Sequence, residues 1–146
     1  MAKEKILVRF YLLVLITSCG NDPLLVSNKK SIPEDFYSFF ERFNSDTVFQ
    51  ISRIEFPLDY YSIDWEKSDY SMKNDPIDSL NYTAFDLTYN DSFARREFDQ
   101  FTREFELKND SCKVLFNGVD NGIHEEYLFV RKNEKWLFVS ATDTST

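Results

Sequence analysis

The sequence is poor in the residues from which most active sites are assembled. Its 146 residues hold one histidine, His124, and two cysteines, Cys19 and Cys112. That set cannot build a zinc site of the usual Cys/His kind. Three glycines, Gly20, Gly118 and Gly122, leave neither a GxGxxG fingerprint nor a Walker loop to cradle a phosphate. No GxSxG elbow presents a nucleophilic serine. Positive charge is scarce too: 17 Lys and Arg stand against 25 Asp and Glu, for a net charge of −8. The longest basic runs are the pairs Lys29-Lys30, Arg95-Arg96 and Arg131-Lys132. Phosphate neutralisation needs clustered cations, so nucleic acid is not an expected partner. The acids Asp59, Asp64, Glu66, Asp69, Asp75 and Asp78 lack the alternating ligands followed by glycine that a calcium loop needs, and read as a solvated face. No metal and no cofactor is expected. Aromatic residues, by contrast, are plentiful: 15 Phe, 8 Tyr and 2 Trp. Each can bury about 150–250 Å², enough to hold a domain together without a disulfide.

The first residues read as an address. Lys3, Lys5 and Arg9 give a positive start, and Phe10–Ile16 is an unbroken apolar run. A spanning helix takes about 20 apolar residues, so this run suits a secretory signal better than an anchor. Ile16-Thr17-Ser18-Cys19 follows, and resembles the bacterial lipobox, with Ile in place of the more usual Leu. The resemblance implies acylation of the Cys19 thiol and cleavage before it. Residues 1–18 are then a lipoprotein signal peptide, 19–30 a lipidated tether and 31–146 a single domain. Membrane attachment follows from the lipid, since each buried acyl CH₂ contributes about 0.8 kcal/mol, and the expected location is the cell envelope, facing periplasm or surface. With Cys19 acylated, Cys112 has no intramolecular partner. In a run with Val114 and Phe116 it reads as a small buried hydrophobe rather than a nucleophile.

Within the domain, Ser31-Ile32-Pro33-Glu34 has capping-box spacing and predicts a helix from Ser31, with Phe36, Phe39, Phe40 and Phe43 on one stripe. Asp46 offers a second cap, for a short helix to Ile54 with Val48, Phe49 and Ile51 facing inward. Pro57 makes Glu55–Leu58 extended. A short strand or helix is expected near Ile63–Lys67, and the alternation of Phe85–Tyr89 predicts a strand. For Ser92–Leu107 the helical and strand patterns compete, and the second half favours a strand. Lys113–Asn117 is a further strand. Tyr127–Arg131 and Trp136–Ser140, joined by a turn over Lys132–Lys135, predict a closing hairpin. The order is α+β: N-terminal helices packed on a curved, mostly antiparallel sheet.

That order, with Trp136 in the closing hairpin, is similar to the nuclear-transport-factor-2-like (cystatin-like) cone. The stretches Pro33–Phe40 and Phe49–Leu58, and the ending Tyr127–Val130 with Lys135–Leu137, resemble the Bacteroidetes lipoprotein family called domain of unknown function 4348. The resemblance implies a fold and an envelope location, and carries no activity.

Four groups are candidates for chemistry. His124 is the one imidazole of the sequence, the side-chain type suited to acid/base work at physiological pH. On a strand it shares a face with Glu126 while Glu125 takes the other, so a His124–Glu126 acid/base pair in the cone's mouth stands beside a plain solvated loop. Arg53, an isolated cation among Ile51 and Ile54, either binds a ligand carboxylate or pairs with an internal acid, and Gln50 travels with it. Tyr60, Tyr61, Trp65 and Tyr70 either line a binding surface or form an aromatic lid. The expected function is a lipid-anchored envelope protein that binds a small molecule or a protein partner without catalysis. The alternatives are a cone-fold enzyme using His124 with a carboxylate, and a structural role in envelope assembly.

Overall fold

A computed structural model of the chain describes residues 32–146. The expected signal peptide (residues 1–18), the expected lipidated tether (19–30) with Cys19, and Ser31 lie outside the described residues.

The first helix, α1 (Phe36–Ser45), starts later than the sequence suggests. Its N-cap is Asp35, whose side chain accepts the Ser38 N–H at 2.9 Å. Glu34 is not helical and lies before the cap, so it does not take the third helical position expected of it. Its carboxylate is taken instead by Arg53 and by the Trp136 N–H, and these tertiary bonds outweigh a local cap. The aromatic stripe is as expected: Phe36, Phe39, Phe40 and Phe43 are all buried.

Asp46 caps α2 (Thr47–Ser52) by accepting the Phe49 N–H. This phase buries Phe49 and Gln50, and it leaves Val48 and Ile51 exposed, contrary to expectation. The chain then enters β1 (Ile54–Ile63), turns through residues 64–69 where a short element was expected, and returns as the short β2 (Met72–Asn74).

Residues 78–92 contain no strand, so the alternation at Phe85–Tyr89 misleads. After a 3-10 turn at Phe93–Arg95 come β3 (Phe101–Leu107), β4 (Ser111–Gly118), β5 (His124–Lys132) and β6 (Lys135–Asp143). The six strands form one sheet in the order β2-β1-β6-β5-β4-β3, antiparallel except for the β1/β6 pair. The turn between β5 and β6 is the tight hairpin expected, with Asn133 and Glu134 at φ 49° and 66°, the positive values a type I′ turn requires.

One face of the sheet carries the core. Cys112, Val114 and Phe116 alternate inward on β4 and sit opposite Phe129, Tyr127 and Glu125 of β5. The α1 stripe packs on this face edge-on: Phe43 meets Phe129 at 5.2 Å and 88°, Phe40 meets Phe105 at 5.2 Å, and Phe36 meets Trp136 at 4.9 Å. Such pairs contribute about 0.5–1.5 kcal/mol each beyond the area they bury. Cys112 is fully buried, and burial pushes its thiol up to about 12.

Candidate functional site

The helices cover only part of the inner face, and the remainder is a mouth at the end of the sheet where β4 finishes and β5 begins. One wall is the strandless segment after Asp78, held in place by two side chains. Gln50, 1% exposed, donates to the carbonyls of Phe43 and Phe85 at 3.0 and 2.9 Å. Its Oε1 accepts the Phe85 N–H at 3.0 Å and the Tyr82 hydroxyl. One amide thus satisfies the backbone of a segment that lacks a strand partner. Arg103 of β3 donates to the carbonyl of Leu87 at 3.1 Å. Between these two anchors Asp86 is presented to the mouth, with its Oδ1 accepting the Thr88 N–H at 3.0 Å and hydroxyl at 2.7 Å. Those two bonds hold its carboxyl below the usual carboxylate range.

The opposite wall is the sheet. The mouth has a volume of about 240 Å³ and is lined by Asp86, Thr88, Phe101, Phe116, Ile123 and Glu125. Glu125 points inward because it lies two residues before the buried Tyr127, whose hydroxyl donates to Glu125 Oε2 at 2.5 Å. Burial, then this bond, raise the Tyr127 phenol well above its ordinary value. Beside them in the sheet are Asp143, opposite Glu125, and Tyr60, opposite Ala141. Burial raises the Tyr60 phenol too, assisted by the charges of Asp143 and Glu125. Both phenols therefore stay protonated at neutral pH and serve as donors or acceptors.

The other candidates lie elsewhere. His124 is on the outer face, exposed, with Nδ1 2.9 Å from Asn117 Oδ1. Glu126 shares that face but pairs with Lys113 at 2.9 Å, so no hydrogen bond joins it to His124. Arg53 is engaged twice by Glu34, at 2.9 and 2.8 Å, donates to the Trp136 carbonyl at 3.1 Å and stacks 4.5 Å over Phe49. It is an internal clamp between α2 and β6. Gln50 has every polar atom occupied and joins the core rather than a cavity. Trp65 is 61% exposed in the turn after β1, edge-on to Tyr70 at 5.7 Å, and is not brought to Tyr60.

Two larger depressions are less suited to a ligand. One, of about 350 Å³, lies over the Glu34–Arg53 pair, whose polar atoms are already bonded. The other, of about 340 Å³, lies between the loops at 97–100 and 119–121, and its aromatic side chain, Phe98, is turned to solvent. Sequence reasoning missed Glu125 as an inward group. Its spacing from Tyr127 is the signal that finds it, since i and i+2 share a strand face. Among the described residues no group of three or more His, Cys, Asp or Glu is placed to hold a metal. No helix among them is long and apolar enough to cross a membrane.

Comparison with known proteins gives a fold and a family. A crystal structure described as an NTF2-like protein from Bacteroides fragilis NCTC 9343 is 24% identical with a TM-score of 0.55, covering 81% of this chain and 50% of that one. The chain thus spans half the length of that protein. A crystal structure of a cystatin-like protein from Bacteroides caccae ATCC 43185 is 21% identical at TM-score 0.53, covering 77% of each chain. An NMR structure of a protein from Bacteroides uniformis ATCC 8492 is 19% identical at TM-score 0.58, covering 76% of this chain and 77% of that one. At these identities the likeness is one of fold, the NTF2-like cone that the order of helices and strands implies. No curated protein sequence matches the chain at a significant level. The family described as domain of unknown function (DUF4348) matches residues 22–143, most of the chain, and the chain belongs to that family.

Proposed function

We propose that the chain is a lipid-anchored cell-envelope protein whose cone binds a small molecule in its mouth, without covalent chemistry. The observation that carries this reading is the mouth itself: a concavity of about 240 Å³ with Phe101, Phe116 and Ile123 as apolar wall and a few convergent polar groups. That combination is the usual make-up of a ligand pocket. An enclosed apolar cavity of about 150 Å³ holds benzene, so the volume suits a small ring with a substituent. Acid/base catalysis through His124 and Glu126 has less support, because each is bonded to a different neighbour on the outer face. The exposed Trp65–Tyr70 pair favours a second reading, in which a protein partner docks at the turn after β1.

The anchor rests on the lipobox sequence ending in Cys19. Cys19→Ser is expected to release the protein from membranes and abolish acyl labelling, and full membrane retention would contradict the anchor. For the mouth, a fragment screen followed by amide chemical shifts should give hits that move residues 86–88, 101, 116 and 123–125 together. Hits scattered over the surface, with none there, would contradict the pocket.

A further inference from the structure

Resting on the reading that the mouth takes a small ligand, we propose that the ligand is a cation, an amine-bearing molecule with a small apolar or aromatic body. The lining holds two carboxylates, Asp86 and Glu125, and no basic side chain. Asp143 lies directly across from Glu125 and adds a third acid at the rim. Among the described residues none of the three has a Lys or Arg partner; the ion pair of this part of the sheet, Lys113–Glu126, lies on the outer face. Glu125 Oε2 is bonded to Tyr127, while Oε1 has no partner among the described residues. Asp86 receives both bonds from Thr88 at Oδ1, which leaves Oδ2 for a ligand.

The charges select the ligand. An anion brought into this mouth meets two carboxylates and no cation, and like charges at close range repel strongly where water is partly excluded. A neutral ligand gains the apolar wall and at most a hydrogen bond to a carboxylate, without the attraction between opposite charges. An ammonium or guanidinium gains charge-assisted hydrogen bonds to Glu125 and Asp86, about twice as strong as neutral ones, while its body lies on Phe101 and Phe116. The net charge of −8 favours cation encounter over the whole surface.

The test uses three probes that share one ring and one-carbon arm: benzylamine, benzyl alcohol and benzoate. Each is titrated against the full chain in detergent micelles and followed by amide chemical shifts. Benzylamine is expected to move the amides of residues 86–88 and 123–127, and to bind at least about tenfold more tightly than benzoate. Glu125→Gln keeps the side chain's volume and an acceptor for Tyr127, and should weaken benzylamine about tenfold and benzyl alcohol by much less. Ile123→Lys sets a cation at the mouth's edge and should abolish benzylamine binding independently of Glu125. If benzoate or benzyl alcohol binds at the mouth as tightly as benzylamine, the cation assignment is wrong while the pocket stands. If none of the three moves the mouth's amides, the cation assignment also fails, and the fragment screen alone decides the pocket.

Discussion

Glu34 holds Arg53 with both carboxylate oxygens, across nineteen residues of chain, and the same carboxylate accepts the Trp136 N–H at 2.8 Å. The Trp136 indole donates in turn to the Glu34 carbonyl at 2.9 Å. One acid thus joins the chain before α1, the end of α2 and the start of β6. The side chains of Arg53 and Glu34 are 14% and 25% exposed, so the pair is screened by water only in part.

Removing this acid should therefore cost more than removing a surface one. Glu34→Ala is expected to destabilise the fold by about 2 kcal/mol, because it strands a half-buried guanidinium and a backbone N–H. Glu55→Ala, which breaks the exposed pair with Lys132, should have a small effect by comparison. Urea midpoints of the two variants decide it, and equal midpoints would contradict the clamp.

Gln50→Leu should be costly despite its similar size. It leaves the Phe43 and Phe85 carbonyls, the Phe85 N–H and the Tyr82 hydroxyl without their partner. The expected loss is about 2–4 kcal/mol. The Phe85 amide should also lose hydrogen-exchange protection ahead of the β4–β5 amides, since the strandless wall is freed before the sheet melts.

The β5–β6 turn offers a stabilising change. Glu134 sits at φ 66°, a left-handed conformation that costs a residue with a Cβ about 1 kcal/mol. Its carbonyl, which accepts the Glu34 N–H at 3.0 Å, survives replacement by glycine. Glu134→Gly is expected to stabilise the fold by about 0.5–1 kcal/mol, read as a higher thermal midpoint.

Alkaline pH should weaken the fold through Cys112. Its thiol is pushed up to about 12 by burial, against about 8.5 in an unfolded chain. Below pH 8.5 both states are protonated and the stabilisation is complete. Above it the unfolded state releases its proton first, so stability falls as pH rises, by at most about 1.4 kcal/mol per unit. Between pH 9 and 10 the slope of stability against pH should be shallower in Cys112→Ala than in the parent. Parallel slopes would show that the thiol is solvated.

The sequence made some elements plain and concealed others for physical reasons. The closing hairpin was legible because Tyr127, Phe129, Trp136 and Phe138 alternate on each side of a turn, and strand periodicity is a local property. Asp46 was legible as a cap because its bond to the Phe49 N–H spans three residues. The start of α1 was misread because Glu34 answers to Arg53 and Trp136, partners far along the chain. Phe85–Tyr89 has the composition of a strand, but Gln50 and Arg103 satisfy its backbone in place of a neighbouring strand. The parallel pairing of β1 with β6 joins distant segments and leaves no local mark. At the site, the strand alternation that sets His124 and Glu126 on one face also turns Glu125 to the other, the inner one, where it lines the mouth.

The most direct test of the account is a crystal structure of the protein soaked with benzylamine. The account predicts a ring against Phe101 and Phe116, with the ammonium nitrogen within hydrogen-bond distance of Glu125 and Asp86. A mouth without the amine, or an amine with its nitrogen turned to bulk solvent, would contradict it.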